Sequence, residues 1–452
     1  MLKKLALLML LLALLGLAAC SKPKKEAPEP EELDPQKPLT ICFDLDNSPP
    51  RDPRHYDFDS GDMKYIGGRL RNKAANRFLK DLKAAGGPEN VQLEFIEGNG
   101  SDRDGQLTRL RAELMAGEGP DLFVMRQSGR ADLFLFPEKK MEDGMFLNLD
   151  KYMETARFME PEKMLAPVFD AGLSSDGSRF LLPMTYDLDA ALMPSSYLEL
   201  EPDAAPTLDD MLDLEGCFKD TLSLWKGAED DPILIPHPAL GVLADYKKES
   251  LNFTEEELSQ FYQKLLDYED RAGPGETASG ILLYRLAATI SDEKIRALAR
   301  EPVTLVPLYD KDGGITARVG VFAGVNANSK NPAGAFFAAD FLLGHDYMRD
   351  SDIHMYMWND TLPIYGDLLG PGQELPYTRT GGGGDLSLGM DGNYWEAFTG
   401  LAQRITQVQF PTRLDGEIDK GYLDYCRAAD DQGRDKAVHE AYTTMRMLLG
   451  EA

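Results

Sequence analysis

The residue types that most often carry chemistry are plentiful in this chain, but not at the spacings that chemistry needs. Five histidines, His55, His237, His345, His354 and His439, form neither an HExxH motif nor an i,i+4 pair that would set two imidazoles on one helix face. Four cysteines, Cys20, Cys42, Cys217 and Cys426, are widely separated, with no CxxC and no Cys/His spacing for zinc, so no metal site is expected. There is no GxSxG nucleophile turn, no GxxxxGK phosphate loop and no GxGxxG after the first apolar run, so no catalytic residue and no cofactor is assigned. Among 76 acids a carboxylate pair suited to glycoside hydrolysis can always be assembled, but nothing marks one pair above another. What is left is binding chemistry: the aromatic faces of Trp225, Trp358 and Trp395, and the polar side chains of Asp44, Arg126 and Gln127.

The elements around those polar residues read as α/β. Leu39–Phe43 is a short apolar run ending at Asp44, Val91–Phe95 alternates with a period of two, and Asp121–Met125 is again apolar. Between them lie a helix with Leu70, Ala74, Phe78 and Leu82 on one stripe, stopped by Gly86-Gly87-Pro88, and a helix capped by Ser101 that turns Leu107, Leu110 and Leu114 inward. Strand, helix, strand, helix, strand predicts a parallel sheet, in which ligands sit beyond the carboxyl ends of the strands. Asp44, Arg126 and Gln127 occupy such ends, although a solvated loop or an internal salt bridge suits them equally. Farther on, residues 192–290 read mostly as helices with a capped start at Thr254, residues 303–308 and 317–322 as strands, and Asn331-Pro332 as a helix start closed by Gly344. The chain ends in an amphipathic helix with Val438, Ala441, Tyr442, Met445, Leu448 and Leu449 on one face.

At 452 residues, 43% hydrophobic and 27% charged, the chain is long enough for two cores and fits neither a polytopic membrane protein nor a disordered one. Its formal charge of −28 becomes −30 without residues 1–19, which carry two lysines and no acid. Such a surface repels phosphate backbones and argues against nucleic acid as a partner. Lys3 and Lys4 precede an apolar run, Leu5–Ala19, that is too short to span a bilayer and suits a signal peptide. Leu17-Ala18-Ala19-Cys20 resembles the bacterial lipobox, in which the cysteine is diacylated and becomes the first residue of the mature protein. Residues 1–19 are thus expected to be removed, and residues 20–38, with five prolines and little to bury, to form an extended tether reaching about 50–60 Å when stretched.

Several phrases occur in an order that resembles extracellular solute-binding proteins of family 1, the receptors of carbohydrate-type ABC importers. Ala112–Met125 (AELMAGEGPDLFVM), Phe146–Asp150 (FLNLD), Asp176–Asp187 (DGSRFLLPMTYD), Pro206–Met211 (PTLDDM), Val325–Pro332 (VNANSKNP) with Ala338–Leu342 (AADFL), and Leu362–Ile364 (LPI) carry the resemblance over nearly all of the mature chain. It implies two α/β lobes, discontinuous in sequence and joined by crossing strands, closing over a ligand in the cleft. By these motifs the chain crosses near Met184–Ala190, returns near Val319–Ala323 and crosses again near Pro363–Asp367. Residues 39–185 and 322–364 would form lobe one, and residues 186–321 and 365–452 lobe two. Tyr186 and Asp187 would then lie on the first crossing, Trp358 just before the last, and Trp395 at a helix start where the family places a cleft-facing aromatic. Core packing is the alternative for each tryptophan, and the stronger reading for Trp225.

Aromatic faces suit the C–H side of a pyranose, and Asp, Asn or Arg suit its hydroxyls. The function implied is a monomeric, non-enzymatic receptor, lipid-anchored through Cys20 on the extracellular face of the cell membrane. It would deliver a small solute, an oligosaccharide or related polyol, to the transmembrane subunits of an ABC permease. The acidic surface also admits a cationic solute. The alternative function is a surface lipoprotein of the same fold that senses glycans or other ligands without a transporter; a polysaccharide-active hydrolase or lyase comes third.

Overall fold

A computed structural model of the chain describes residues 27–44, 63–96, 100–129, 131–194, 236–272, 282–285, 303–350, 361–368 and 392–451. Cys20, Trp225, Trp358, Cys217, the 45–62 loop and Gly381–Gly384 lie outside the described residues. The first part of the chain runs β1 (Leu39–Asp44), α1 (Met63–Ala84), β2 (Val91–Phe95), α2 (Gly100–Met115), β3 (Leu122–Arg126), then short helices α3 (Pro137–Glu142), α4 (Asp150–Met153) and α5 (Ala166–Asp170), and β4 (Leu181–Asp187). The rest follows as β5 (Asp189–Pro194), a small hairpin β6 (Ala244–Asp245) and β7 (Ser250–Leu251), α6 (Glu255–Ala272), β8 (Leu282–Arg285), β9 (Val303–Pro307) and β10 (Thr316–Val325). It closes with α7 (Pro332–Leu342), α8 (His345–Asp350), β11 (Leu362–Pro363), α9 (Gly392–Ala402), β12 (Gln407–Gln409), α10 (Arg413–Arg427) and α11 (Asp431–Glu451).

The alternating pattern at the start gives the parallel order it predicts: β2 and β3 flank β1, with Ile41 opposite Leu93 and Leu122. The sheet grows on the β3 side by antiparallel addition of β10, then β4, then β11, while β12 pairs in parallel with the beginning of β10. One face of this large sheet is covered by α1 and α7, whose Phe78, Leu82, Phe337 and Leu342 pack on Ile41, Phe43 and Val124. The other face carries Cys42, Phe123, Met125 and Phe322 against Leu107 and Leu110 of α2. A second sheet of three strands, in the order β8-β5-β9, continues from β4 through the single residue Leu188. Leu188 and Ala190 join Leu305, Tyr309, Phe398 and Leu401 to the apolar core on the α1 side of the large sheet. A separate core lies among α6, α10 and α11, around Tyr262, Ile418, Tyr422 and Met445.

The local signals act as read at most element ends. Thr254 and Glu257 cap α6 reciprocally, Thr254 Oγ1 accepting from the Glu257 N–H at 3.1 Å and Glu257 Oε2 from the Thr254 N–H at 2.6 Å. Asn331 caps α7 by accepting from the Gly334 N–H at 3.0 Å, with Pro332 in the first turn. Two motif phrases bind each other: Asp121 accepts from Thr40 N–H and Ser329 Oγ, and the Asn326 amide donates to the Glu118 and Pro120 carbonyls. These residues close the amino-terminal ends of β1 and β3, which makes them structural.

Two expectations are corrected. Ser101 is not the cap of α2, because the helix already includes Gly100. Residues 27–38 are not a free tether, since they lie against the body of the protein, with Leu33 packed on the large apolar core. Within 192–290, read mostly as helices, the described residues hold α6 but also the end of β5 and all of β8, which pairs Leu282 and Leu283 with Leu192 and Ala191. Among the described residues no helix is long and apolar enough to cross a membrane.

Candidate ligand site

The three segments read as crossings lie side by side. Thr185 and Tyr186 of β4 pair with Val321 and Val319 of β10 on one side and with Pro363 and Leu362 of β11 on the other. The register of β10 slips around Gly320, where a Cβ would lie 2.3 Å from Thr361 Cγ2 and 2.7 Å from Thr185 Oγ1. Only glycine lets the three strands approach this closely. The Gly320 carbonyl accepts the Gln127 N–H at 2.8 Å, so the end of β3 is tied to the same point.

The polar residues at these ends meet two fates. Asp44 is completely buried and committed to Arg103 of α2, with Nη1–Oδ1 3.0 Å and Nη2–Oδ2 2.5 Å. Arg103 is further held by the Ala131 carbonyl, at 2.9 Å from Nε and 2.7 Å from Nη2. Burial pushes the Asp44 carboxyl up to about 6 against the pull of Arg103. The salt-bridge alternative thus describes Asp44. Arg126 is buried at the end of β3, and Gln127 beside it donates from Nε2 to the Phe134 carbonyl at 2.7 Å. Gln127 Oε1, Thr185 Oγ1 and the Tyr186 hydroxyl, by contrast, are buried with no hydrogen-bond partner among the described residues. Tyr186 has no solvent-facing surface, and burial, followed by the charge of Asp187, raises its phenol far above the usual range. Trp395 lies in the first turn of α9, the helix start expected for it, and α9 packs against β9; its side chain lies outside the described residues.

A charged group that the sequence reading missed adjoins the crossing. Asp187 pairs in register with Arg318 of β10, whose guanidinium donates to Asp189 at 2.6 Å, all three residues being buried. Burial works against the Arg318 charge, but Asp189, Asp187 and Asp415 hold its pKa above the ordinary value. Asp415, in the first turn of α10, completes a capping box with Thr412 and reaches His237 Nδ1 at 3.1 Å, while His237 Nε2 reaches Asp419 at 2.8 Å. Burial alone would lower His237, but the two carboxylates raise it to about 9, so the imidazole is a buried cation at neutral pH. Pro-His-Pro at 236–238 was the one signal in the sequence, because a histidine between two prolines is locked in backbone direction. Its partners are 178 and 182 positions away.

Two other features lie apart from the crossing. A depression of about 460 Å³ is lined by residues of α1, the 157–160 loop and α8, including Arg77, Phe158 and Asp346, and contains none of the strand ends. Among the described residues no cluster of His, Cys, Asp and Glu is arranged to hold a metal ion.

The arrangement is thus a junction of three strands beside buried ion pairs, where among the described residues Gln127 Oε1 and Thr185 Oγ1, and on the opposite face of the sheet the Tyr186 hydroxyl, have no hydrogen-bond partner. No family model matches the chain, and no curated protein sequence does. Solved structures are similar over almost its whole length. An extracellular solute-binding protein family 1 from Alicyclobacillus acidocaldarius superposes with a TM-score of 0.51 at 13% identity, covering 92% of this chain and all of that one (100%). A periplasmic oligogalacturonide-binding protein from Yersinia enterocolitica gives 0.52 at 14% identity, covering 91% and 99%. An ABC substrate-binding protein from Listeria monocytogenes in complex with cycloalternan gives 0.52 at 12% identity, covering 91% and 98%. Likeness of this degree speaks to architecture, and the architecture of this chain is that of the two-lobed extracellular solute-binding proteins.

Proposed function

We propose that this chain is a solute receptor that binds a small polyhydroxylated ligand, an oligosaccharide or related polyol, and presents it to the transmembrane subunits of an ABC importer while anchored through Cys20. The observation that carries the reading is that, among the described residues, Thr185 Oγ1 beside Gly320 and Gln127 Oε1 at the β3 end bonded to Gly320 are buried with no hydrogen-bond partner, where β4, β10 and β11 meet. Neutral donors and acceptors of this kind suit sugar hydroxyls. The oligogalacturonide and cycloalternan named for two of the similar structures support the same ligand class. In this reading residues 39–185 and 322–364 form one lobe and residues 186–321 and 365–452 the other, closure being a hinge motion at β4, β10 and β11.

The test is a thermal-shift screen of the Cys20→Ser chain against oligosaccharides, polyols, peptides and polyamines. A ligand present at a hundred times its Kd stabilises the folded state by about 2.7 kcal/mol, a shift of several degrees. A sugar that produces it supports the proposal; a response confined to peptides or polyamines, or none at all, overturns it.

A further inference from the structure

The segment between Cys20 and β1 is described from residue 27 onward. Residues 27–38 join no sheet ladder and turn at Asp34–Lys37, where the Asp34 carbonyl accepts the Lys37 N–H at 3.2 Å, yet this stretch lies on the large-sheet lobe at three fixed places. Near its beginning, Glu29 pairs with Lys151 of α4, the Glu31 backbone hydrogen-bonds to the Tyr152 hydroxyl, and Leu33 packs on the large apolar core. Farther along, the Pro35 carbonyl accepts the Glu89 N–H at 2.8 Å. At its end, the Lys37 and Pro38 carbonyls accept from the Asn331 amide at 3.0 and 3.1 Å. Lys22, Lys24, Lys25 and Glu26 precede the docked stretch, and Glu29, Glu31, Glu32, Asp34 and Lys37 lie within it, so the net charge changes from positive to negative there.

We propose that residues 27–38 are a strap that shortens the working tether to residues 21–26, holding the α4 end of the large-sheet lobe close to the membrane. The inference rests on lipidation of Cys20. Six residues span at most about 20 Å, against about 60 Å for residues 21–38 set free. A short tether fixes which side of the body meets the bilayer, whereas a long one leaves the body free to turn. The three lysines then lie within reach of anionic headgroups, and the acids of residues 29–34 are held on the protein.

The test uses the full-length lipoprotein in phosphatidylcholine–phosphatidylglycerol vesicles containing an acceptor-labelled headgroup lipid. A donor dye is placed at the exposed position 154, next to α4, through an unnatural amino acid. Two altered chains are compared with the parent: Leu33→Glu with Lys151→Glu, which releases the strap, and a flexible insertion after Glu26, which lengthens the tether and leaves the strap docked. Energy transfer is expected to fall about twofold or more in both, because the reach rises from about 20 to about 60 Å. Transfer that falls with the insertion but not with the double substitution overturns the strap, as does transfer unchanged in both. Palmitate labelling, compared with Cys20→Ser, keeps the two readings apart. Absent labelling removes the anchor and the strap's purpose together, whereas labelling with unchanged transfer removes the strap alone.

Discussion

Two strand ends of the same sheet, equally buried, use their polar residues in opposite ways. At the end of β1, Asp44 and Arg103 spend their hydrogen-bonding capacity on each other and on the Ala131 carbonyl. Toward the β4–β10 pair, the Tyr186 hydroxyl, Thr185 Oγ1 and Gln127 Oε1 find no partner among the described residues. Burying a charge demands a partner, and α2 supplies one to Asp44; burying a neutral hydroxyl costs only about 1–3 kcal/mol, which a fold can carry where function requires it. Position at a strand end therefore does not by itself mark a ligand contact. What separates the two regions is whether the side chain is already satisfied from within.

The sharpest way to break this comparison is to remove Asp44. Asp44→Ala strands Arg103 in the interior, and loss of one partner from a buried pair costs about 3–5 kcal/mol. Urea denaturation of the variant should show that loss, with solute affinity unchanged in the protein that stays folded. A stable Asp44→Ala protein with abolished binding would return Asp44 to the ligand and erase the contrast.

The His237 cluster, adjoining the crossing, gives the next effect. The unfolded imidazole titrates at 6.5 and the folded one at about 9. Because the folded value is the higher, the protonated histidine stabilises the fold fully below pH 6.5, and this contribution is lost as the pH rises through about 9. The difference corresponds to roughly 3 kcal/mol on the acid side. The stability gap between the parent chain and His237→Asn should accordingly be widest near pH 6 and close toward pH 10. A gap independent of pH would mean that the cluster is held by packing and hydrogen bonds without a charge on the ring.

How much of this was legible follows from the range of the interactions. Alternation in Val91–Phe95, the apolar runs ending at Asp44 and Arg126, and the caps at Thr254 and Asn331 act within a few residues, so a single sequence displays them. The fate of Asp44 depends on Arg103, 59 positions away on a helix whose visible stripe is leucine, and that of His237 on α10, near the other end of the chain. Leu33 is one apolar residue among prolines and acids, and nothing in its neighbourhood announces that it packs on the core or that Lys151 and Tyr152 take up Glu29 and the Glu31 backbone. Tyr186 was singled out by its place in a motif, and its full burial was not foreseen, because it comes from its place in the large apolar core, assembled from distant strands and helices.

The smallest effect tests the crossing itself. Tyr186→Phe removes an oxygen with no partner among the described residues and leaves the ring in its packing, so the unliganded protein should keep its stability or gain up to about 1 kcal/mol. If the hydroxyl is held for a solute, affinity for the sugar found by screening should fall about tenfold, the equivalent of one hydrogen bond of about 1.4 kcal/mol. A structural hydroxyl would behave in the opposite sense, its loss lowering stability and sparing affinity. Opposite signs in two measurements on one variant are hard to produce by misfolding, which lowers both, so this single-atom change separates a residue reserved for a ligand from one that merely fills the junction.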